Sequence, residues 1–206
     1  MSGTSPGTME VSMSTPSGSA RLAALSILLA ALLPVGASAQ SADDKAQVCA
    51  GCHGTKGVPL QNTWPVIWGQ QQGYLLIELR DFKSGARKSD VMGPIAQSLS
   101  RDDMGALALY FSQKPWPDLQ QPRAPADVTA RALKAMNAVV CTSCHQSNFQ
   151  GDSTQPRLAG QRKEYLQQSM LDFRNKTRGN NPGMTDLMLA ISEQDIADCA
   201  AYLAGF

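Results

Sequence analysis

After residue 40, apolar positions recur at helical spacing along most of the chain. Met104, Leu107, Ala108 and Phe111 fall on one helix face, and Ile196, Cys199, Ala200 and Leu203 repeat the pattern near the end. Each run is preceded by a serine with an aspartate three residues later, Ser100 with Asp103 and Ser192 with Asp195. That is a capping box with Asp in place of the usual Glu or Gln. Asp127 is placed to cap a further helix whose apolar positions include Leu133, Met136 and Val140 and which runs up to Cys141. Alternating runs of β-branched residues, the mark of strands, are missing. The pattern predicts an all-α protein.

One apolar run is of another kind. From Leu22 to Leu33 only Ser26 is polar, Arg21 precedes it, and Pro34 and the small residues Gly36, Ala37, Ser38 and Ala39 follow. This reads as a secretory signal peptide over residues 1–39, cleaved after Ala39. The run falls short of the roughly 20 apolar residues that a membrane span needs; an uncleaved anchor is the alternative. The Ser/Gly/Thr/Pro-rich stretch before Arg21 is long for a leader and suggests translation from Met9 or Met13. The expectation is export to the periplasm, with no membrane span after cleavage.

The mature part is written twice. Cys49-Ala50-Gly51-Cys52-His53 recurs as Cys141-Thr142-Ser143-Cys144-His145, a shift of 92 residues. Pro65 through Gln70 recurs as Pro156 through Gln161, and Tyr74 through Phe82 as Tyr165 through Phe173, at a shift of 91. Met92, Ser100, Asp103 and Tyr110 then match Met184, Ser192, Asp195 and Tyr202 at 92 again. One residue is lost and the register is later restored. Between the copies, Pro115, Pro117, Pro122 and Pro125 favour an extended connector. The expected organisation is a first domain over 40–114, a linker over 115–126 and a second domain over 127–206. Each copy is near the lower limit for folding on its own core, so something extra belongs in each.

Charge changes the picture only by exclusion. The chain has 18 Lys and Arg against 17 Asp and Glu, with no basic cluster, so nucleic acid is not expected as a partner. Loss of residues 1–39 removes one of each sign, Arg21 and Glu10.

The cysteines carry the chemistry. C-x-x-C-H is the attachment signature of a c-type haem. Two thiols at that spacing can each add to one of two neighbouring vinyl groups on a haem edge, and the adjacent histidine is held beneath the iron. A redox dithiol would call for a βαβ setting that this chain lacks. A zinc site would need four N/S ligands, so the two motifs would have to converge. Disulfides across each C-x-x-C would leave His53 and His145, the only histidines, without a role. Two covalently bound haem c groups are expected.

With no third histidine, methionine is the expected sixth ligand, a pairing that raises the haem potential. Met104, Met136 and Met170 sit at packing positions. Met92 lies 39 residues after His53 and Met184 lies 39 after His145. Met188 is the rival in the second copy, but its counterpart is Ala96. Pro65 and Pro156 can each offer a carbonyl to the ring N–H of the ligand histidine or can simply shape a loop, and the residues alone leave both open. Gly69 and Gly160 suit close backbone approach or positive φ. Cys199, whose counterpart is Leu107, reads as a buried thiol, with a disulfide or redox role as the alternative. Trp64, Trp68 and Trp116 read as haem-pocket or linker packing.

The order C-A-G-C-H-G, W-P-V-I-W-G-Q, Y-L-L-I-E-L-R-D-F-K-S-G-A-R and V-M-G-P-I-A-Q-S-L-S-R-D-D, followed by a second copy, resembles the dihaem cytochrome c4 family from Ala42 to Phe206. The resemblance implies two tandem class I cytochrome c domains. It implies that Cys49, Cys52, His53 and Met92 hold one haem and Cys141, Cys144, His145 and Met184 the other, with Pro65 and Pro156 as the carbonyl acceptors. It also implies a periplasmic carrier passing electrons toward a terminal oxidase. Two departures stand out: the segment before Met184 differs from that before Met92, and Cys199 replaces a more usual aliphatic residue.

With both axial positions filled, the iron has no open site for substrate, so the expected activity is outer-sphere electron transfer and not enzymatic catalysis. The expected partners are redox proteins met transiently, a membrane oxidase or a quinol-oxidising complex. The alternative is the haem subunit of a dehydrogenase complex, such as a flavocytochrome oxidising a sulfur compound. A dihaem peroxidase is a third reading, against which Met184 and the short chain argue.

Overall fold

The computed structural model describes residues 41–206 continuously, together with scattered positions before residue 15. The chain divides into two units, Met1–Ala39 and Gln40–Phe206. The expected signal peptide lies largely outside the described residues, and the second unit carries everything below. Among the described residues there are nine α-helices and no strand beyond one isolated bridge between Asp152 and Gln155. None of these helices is long and apolar enough to cross a membrane.

The first copy supplies α1 (Ala42–His53), α2 (Gln72–Ser84), α3 (Met92–Gln97) and α4 (Arg101–Ser112). The second supplies α5 (Ala126–Ala138), α6 (Thr142–His145), α7 (Lys163–Arg174), α8 (Pro182–Leu189) and α9 (Glu193–Ala204). In each copy the first and last helices pack together and enclose a core. In the first, Ala46, Leu75, Leu107, Ala108 and Phe111 fill it. In the second, Ala132, Ala135, Met136, Cys199, Ala200 and Leu203 lie between α5 and α9, where small side chains let the backbones approach closely. Capping boxes start α4 at Ser100 and α9 at Ser192, as the sequence pattern predicts, and a third starts α1 at Ser41 with Asp44.

The helix before Cys141 differs from expectation. Pro125 is its N-cap, with no side-chain cap, and Asp127 lies inside the first turn and pairs with Arg131. It ends at Ala138, Val140 turns to φ 47°, and Cys141 opens the separate short helix α6. Leu133 and Val140 are exposed, so the buried face is Ala132, Ala135 and Met136. The first motif, by contrast, is the end of one continuous helix, α1. The linker residues 115–125 contain no helix.

Gly69 and Gly160 fold each loop back onto the last helix of its own copy. Gly69 donates its N–H to the Phe111 carbonyl at 2.8 Å, and Gly160 to the Leu203 carbonyl at 2.9 Å. Both have positive φ, 65° and 72°. Trp116 lies against both glycines, its backbone near Gly69 and its indole near Gly160, and Arg157 stacks on the ring 4.3 Å from its centroid.

Candidate functional site

Two cavities open in the second unit, one per copy. The first, about 1010 Å³, is lined by Cys49, Cys52, His53 and Met92 among apolar walls that include Trp64, Ile67, Leu79, Phe82 and Ile95. The second, about 450 Å³, is lined by Cys141, Cys144, His145 and Met184, and also by Met136, Met170 and Met188. The structure thus gathers the motif residues and the register-matched methionine of each copy on one cavity.

His53 and His145 are buried. His53 Nδ1 lies 2.8 Å from the Pro65 carbonyl, and His145 Nδ1 lies 3.0 Å from that of Pro156, although the intervening loop is one residue shorter in the second copy. A carbonyl oxygen can only accept, so Nδ1 carries the proton and Nε2 keeps its lone pair, the state of a metal-binding imidazole. Burial pushes both imidazoles below their usual value, and the bond to the proline carbonyl partly opposes it. Both rings are therefore neutral near pH 7.

Each methionine is delivered by a capped turn. Ser89 Oγ accepts the Met92 N–H at 3.0 Å, where α3 begins, and Asn181 Oδ1 accepts the Met184 N–H at 3.1 Å in the first turn of α8. The two caps occupy the same repeat position, three residues ahead. The differing loop changes the cap residue and adds Pro182 at the helix start, so α8 has eight residues where α3 has six. Met188 also reaches the second cavity but is buried with Phe173, Ile191 and Ile196, whereas Met184 is half-buried.

Among the described residues no disulfide joins any of the five cysteines. Among the described residues no three His, Cys, Asp or Glu side chains converge as a metal-ion cluster, so the two motifs do not meet to share a zinc. Two thiols, a neutral imidazole with a free Nε2 and a thioether sulfur on one apolar cavity form a donor set that fits a covalently attached haem. Cys199 is buried with its sulfur 3.8 Å from the Ala132 carbonyl, and burial pushes its thiol up to about 12.

Between the cavities runs a polar seam that the sequence reading did not assign. Arg87 and Arg178 occupy equivalent repeat positions and line both cavities. Each stacks on the phenylalanine of its own copy, Arg87 4.7 Å from the Phe82 centroid and Arg178 4.3 Å from that of Phe173. Each reaches toward the tyrosine of the other copy: Arg87 Nη2 to Tyr165 Oη and Arg178 Nη2 to Tyr74 Oη, both at 3.3 Å. The buried Glu78 accepts from both guanidinium groups at 2.5 Å. Its counterpart, Ser169, bonds Arg178 alone, also at 2.5 Å. The available signal was polar residues retained at a common repeat register.

These features recur in known proteins. The Cytochrome c family model matches residues 130–205. A cytochrome c4 from Azotobacter vinelandii is 31% identical over 199 residues, covering 88% of this chain and 95% of the relative. The chain belongs to the cytochrome c4 family. A solved cytochrome c4 structure from Acidithiobacillus ferrooxidans superimposes with a TM-score of 0.71 at 31% identity, covering 78% of this chain and 99% of that one. A thiosulfate dehydrogenase electron acceptor from Stutzerimonas stutzeri is 34% identical, covering 79% of this chain and 81% of the relative. As a cytochrome c4 family member, the protein has two tandem class I cytochrome c domains and two covalently bound haem c groups, and it transfers electrons instead of catalysing a reaction.

Proposed function

We propose that the protein is a periplasmic electron carrier that delivers electrons toward a terminal oxidase. In this reading residues 1–39 are removed on export, 40–114 and 127–206 are the two haem domains, and 115–126 link them. The observation that carries it is the repetition, on two cavities, of two thiols, one histidine with its Nδ1–H committed to a proline carbonyl, and one capped methionine. Cys49 and Cys52 would hold the first group by thioether bonds, with His53 and Met92 as its iron ligands. Cys141, Cys144, His145 and Met184 would hold the second.

When bound, each haem supplies a one-electron ferrous/ferric couple. The chain's contribution would be to offer each group one histidine and one methionine from an apolar cavity and to keep water and small substrates away. Pro65 and Pro156 fix the imidazole planes, while Ser89 and Asn181 fix the backbone from which each methionine extends. The surplus positive charge of Arg87 and Arg178 over Glu78, on the wall common to both cavities, suits the carboxylate groups of the two porphyrins.

The likeness to a thiosulfate dehydrogenase electron acceptor supports a second reading, in which electrons arrive from a sulfur-compound dehydrogenase. Purification from the native host separates the two: a carrier elutes alone, and a subunit co-elutes with its dehydrogenase. The ligand set is tested by the far-red band of methionine bound to ferric iron, which Met92→Ala and Met184→Ala should each abolish for one haem. Carbon monoxide uptake at both reduced centres of the unaltered protein would overturn it.

A further inference from the structure

The peptide joining Pro65 to Val66 is engaged at both of its polar atoms. Its carbonyl faces His53 Nδ1, and its N–H donates to Oε1 of Gln161 at 2.8 Å. Gln161 Nε2 returns to the Val66 carbonyl at 3.0 Å. Gln161 belongs to the other half of the molecule. The relation is reciprocal: the peptide joining Pro156 to Arg157 faces His145 with its carbonyl, while its N–H donates to Gln70 Oε1 at 2.7 Å and Gln70 Nε2 returns to the Arg157 carbonyl at 3.0 Å. Both glutamines are buried. Each Oε1 also accepts the N–H of the next residue, Gln71 at 2.9 Å and Arg162 at 3.0 Å, which fixes the oxygen and not the nitrogen toward those donors.

We infer that Gln161 and Gln70 are positioning residues that act across the seam, Gln161 on His53 and Gln70 on His145. This rests on the ligand set proposed above. Hydrogen bonds in series polarise one another. An acceptor on the amide N–H makes the carbonyl of the same planar peptide a stronger acceptor. The histidine Nδ1–H is then drawn further toward it and Nε2 becomes the stronger donor to iron. A stronger donor favours ferric iron, so each glutamine lowers the potential of the haem in the half to which it does not belong.

The test is spectroelectrochemical titration of the full-length dihaem protein, with the two haems assigned by the far-red band lost in Met92→Ala or Met184→Ala. Gln161→Met keeps side-chain length and removes both polar atoms. It should raise the potential of the N-terminal haem and leave the C-terminal one in place, and Gln70→Met should do the reverse. Gln161→Glu retains an acceptor over the Val66 N–H and should not raise it. Equal shifts at both haems, a shift at the haem of the substituted half, or no shift with both bands intact would overturn the inference alone. Absence of the bands from the unaltered protein would overturn the ligand set and the inference with it. Where Gln161→Met fails to fold, amide exchange in the unaltered protein decides: Val66 and Arg157 N–H should exchange among the slowest, and surface-loop rates would overturn the clamp.

Discussion

Glu78 and Arg178 meet face to face across the seam, Oε1 to Nη2 at 2.5 Å, with side chains only 10% and 7% exposed. Arg87 approaches the other carboxylate oxygen at the same distance. Removing the carboxylate leaves two buried guanidinium groups without the protein carboxylate that both pair with. Glu78→Ala should therefore cost about 3–5 kcal/mol, the range for breaking a buried pair by deleting one partner. Urea unfolding of the holoprotein, followed by helical circular dichroism, measures it; a change below 1 kcal/mol would mean the seam is wetter than this burial implies.

Lys45 pairs with Asp103 and ties α1 to α4. The Lys45 ammonium, with help from Ser100, holds the Asp103 carboxyl down at about 2, below its usual 3.8. A depressed carboxylate contributes stability that is fully present above its unfolded value and is lost as pH falls through the folded one. The first half should lose stability as pH drops from about 4 to about 2, and Asp103→Asn should flatten that limb while lowering stability at neutral pH. An acid titration monitored by circular dichroism distinguishes this from an unchanged acid limb, which would assign the pair no role.

A methyl group added to Gly69 would meet the Lys114 carbonyl oxygen and the Trp116 nitrogen at 3.0 Å, both backbone atoms, at φ 65°. At Gly160, with φ 72°, the nearest neighbour is the Trp116 indole nitrogen at 3.1 Å, part of a side chain that can shift. Both alanine substitutions carry the left-handed penalty of about 1–2 kcal/mol. Gly69→Ala should cost more, because backbone cannot move aside. Thermal unfolding of the two variants ranks them, and an equal or reversed order would contradict the packing.

Cys199 should be chemically silent. Burial pushes its thiol up to about 12, so almost no thiolate forms at pH 8. If the four other cysteines are bonded to porphyrin as proposed, iodoacetamide should label nothing in the native holoprotein and one residue after unfolding. Rapid stoichiometric labelling of native protein would mean that α5 and α9 open readily.

Much of this was legible in the sequence because the repeat supplies an internal control. The helical class, the capping boxes at Ser100 and Ser192, the buried Cys199 and the positive φ of Gly69 and Gly160 follow from local rules that the structure obeys. The end of α5 did not, because Val139 and Val140 continue an apolar pattern while the backbone turns at φ 47° to present Cys141. The seam was hidden for another reason. Gln70, Gln161, Arg87 and Arg178 are polar residues on amphipathic or loop segments, and nothing local distinguishes a glutamine facing water from one facing another backbone 95 residues away in sequence.

The exchange of partners between the copies obeys the rule of a twofold homodimer, in which residue i of one subunit meets residue j of the other and j meets i. Here both subunits lie on one polypeptide, so the contact survives dilution that would separate free monomers. Each side is also free to change alone, as Glu78 and Ser169 at one shared repeat position already illustrate: one gene can give two redox centres unlike surroundings, which a symmetric pair of identical chains never could.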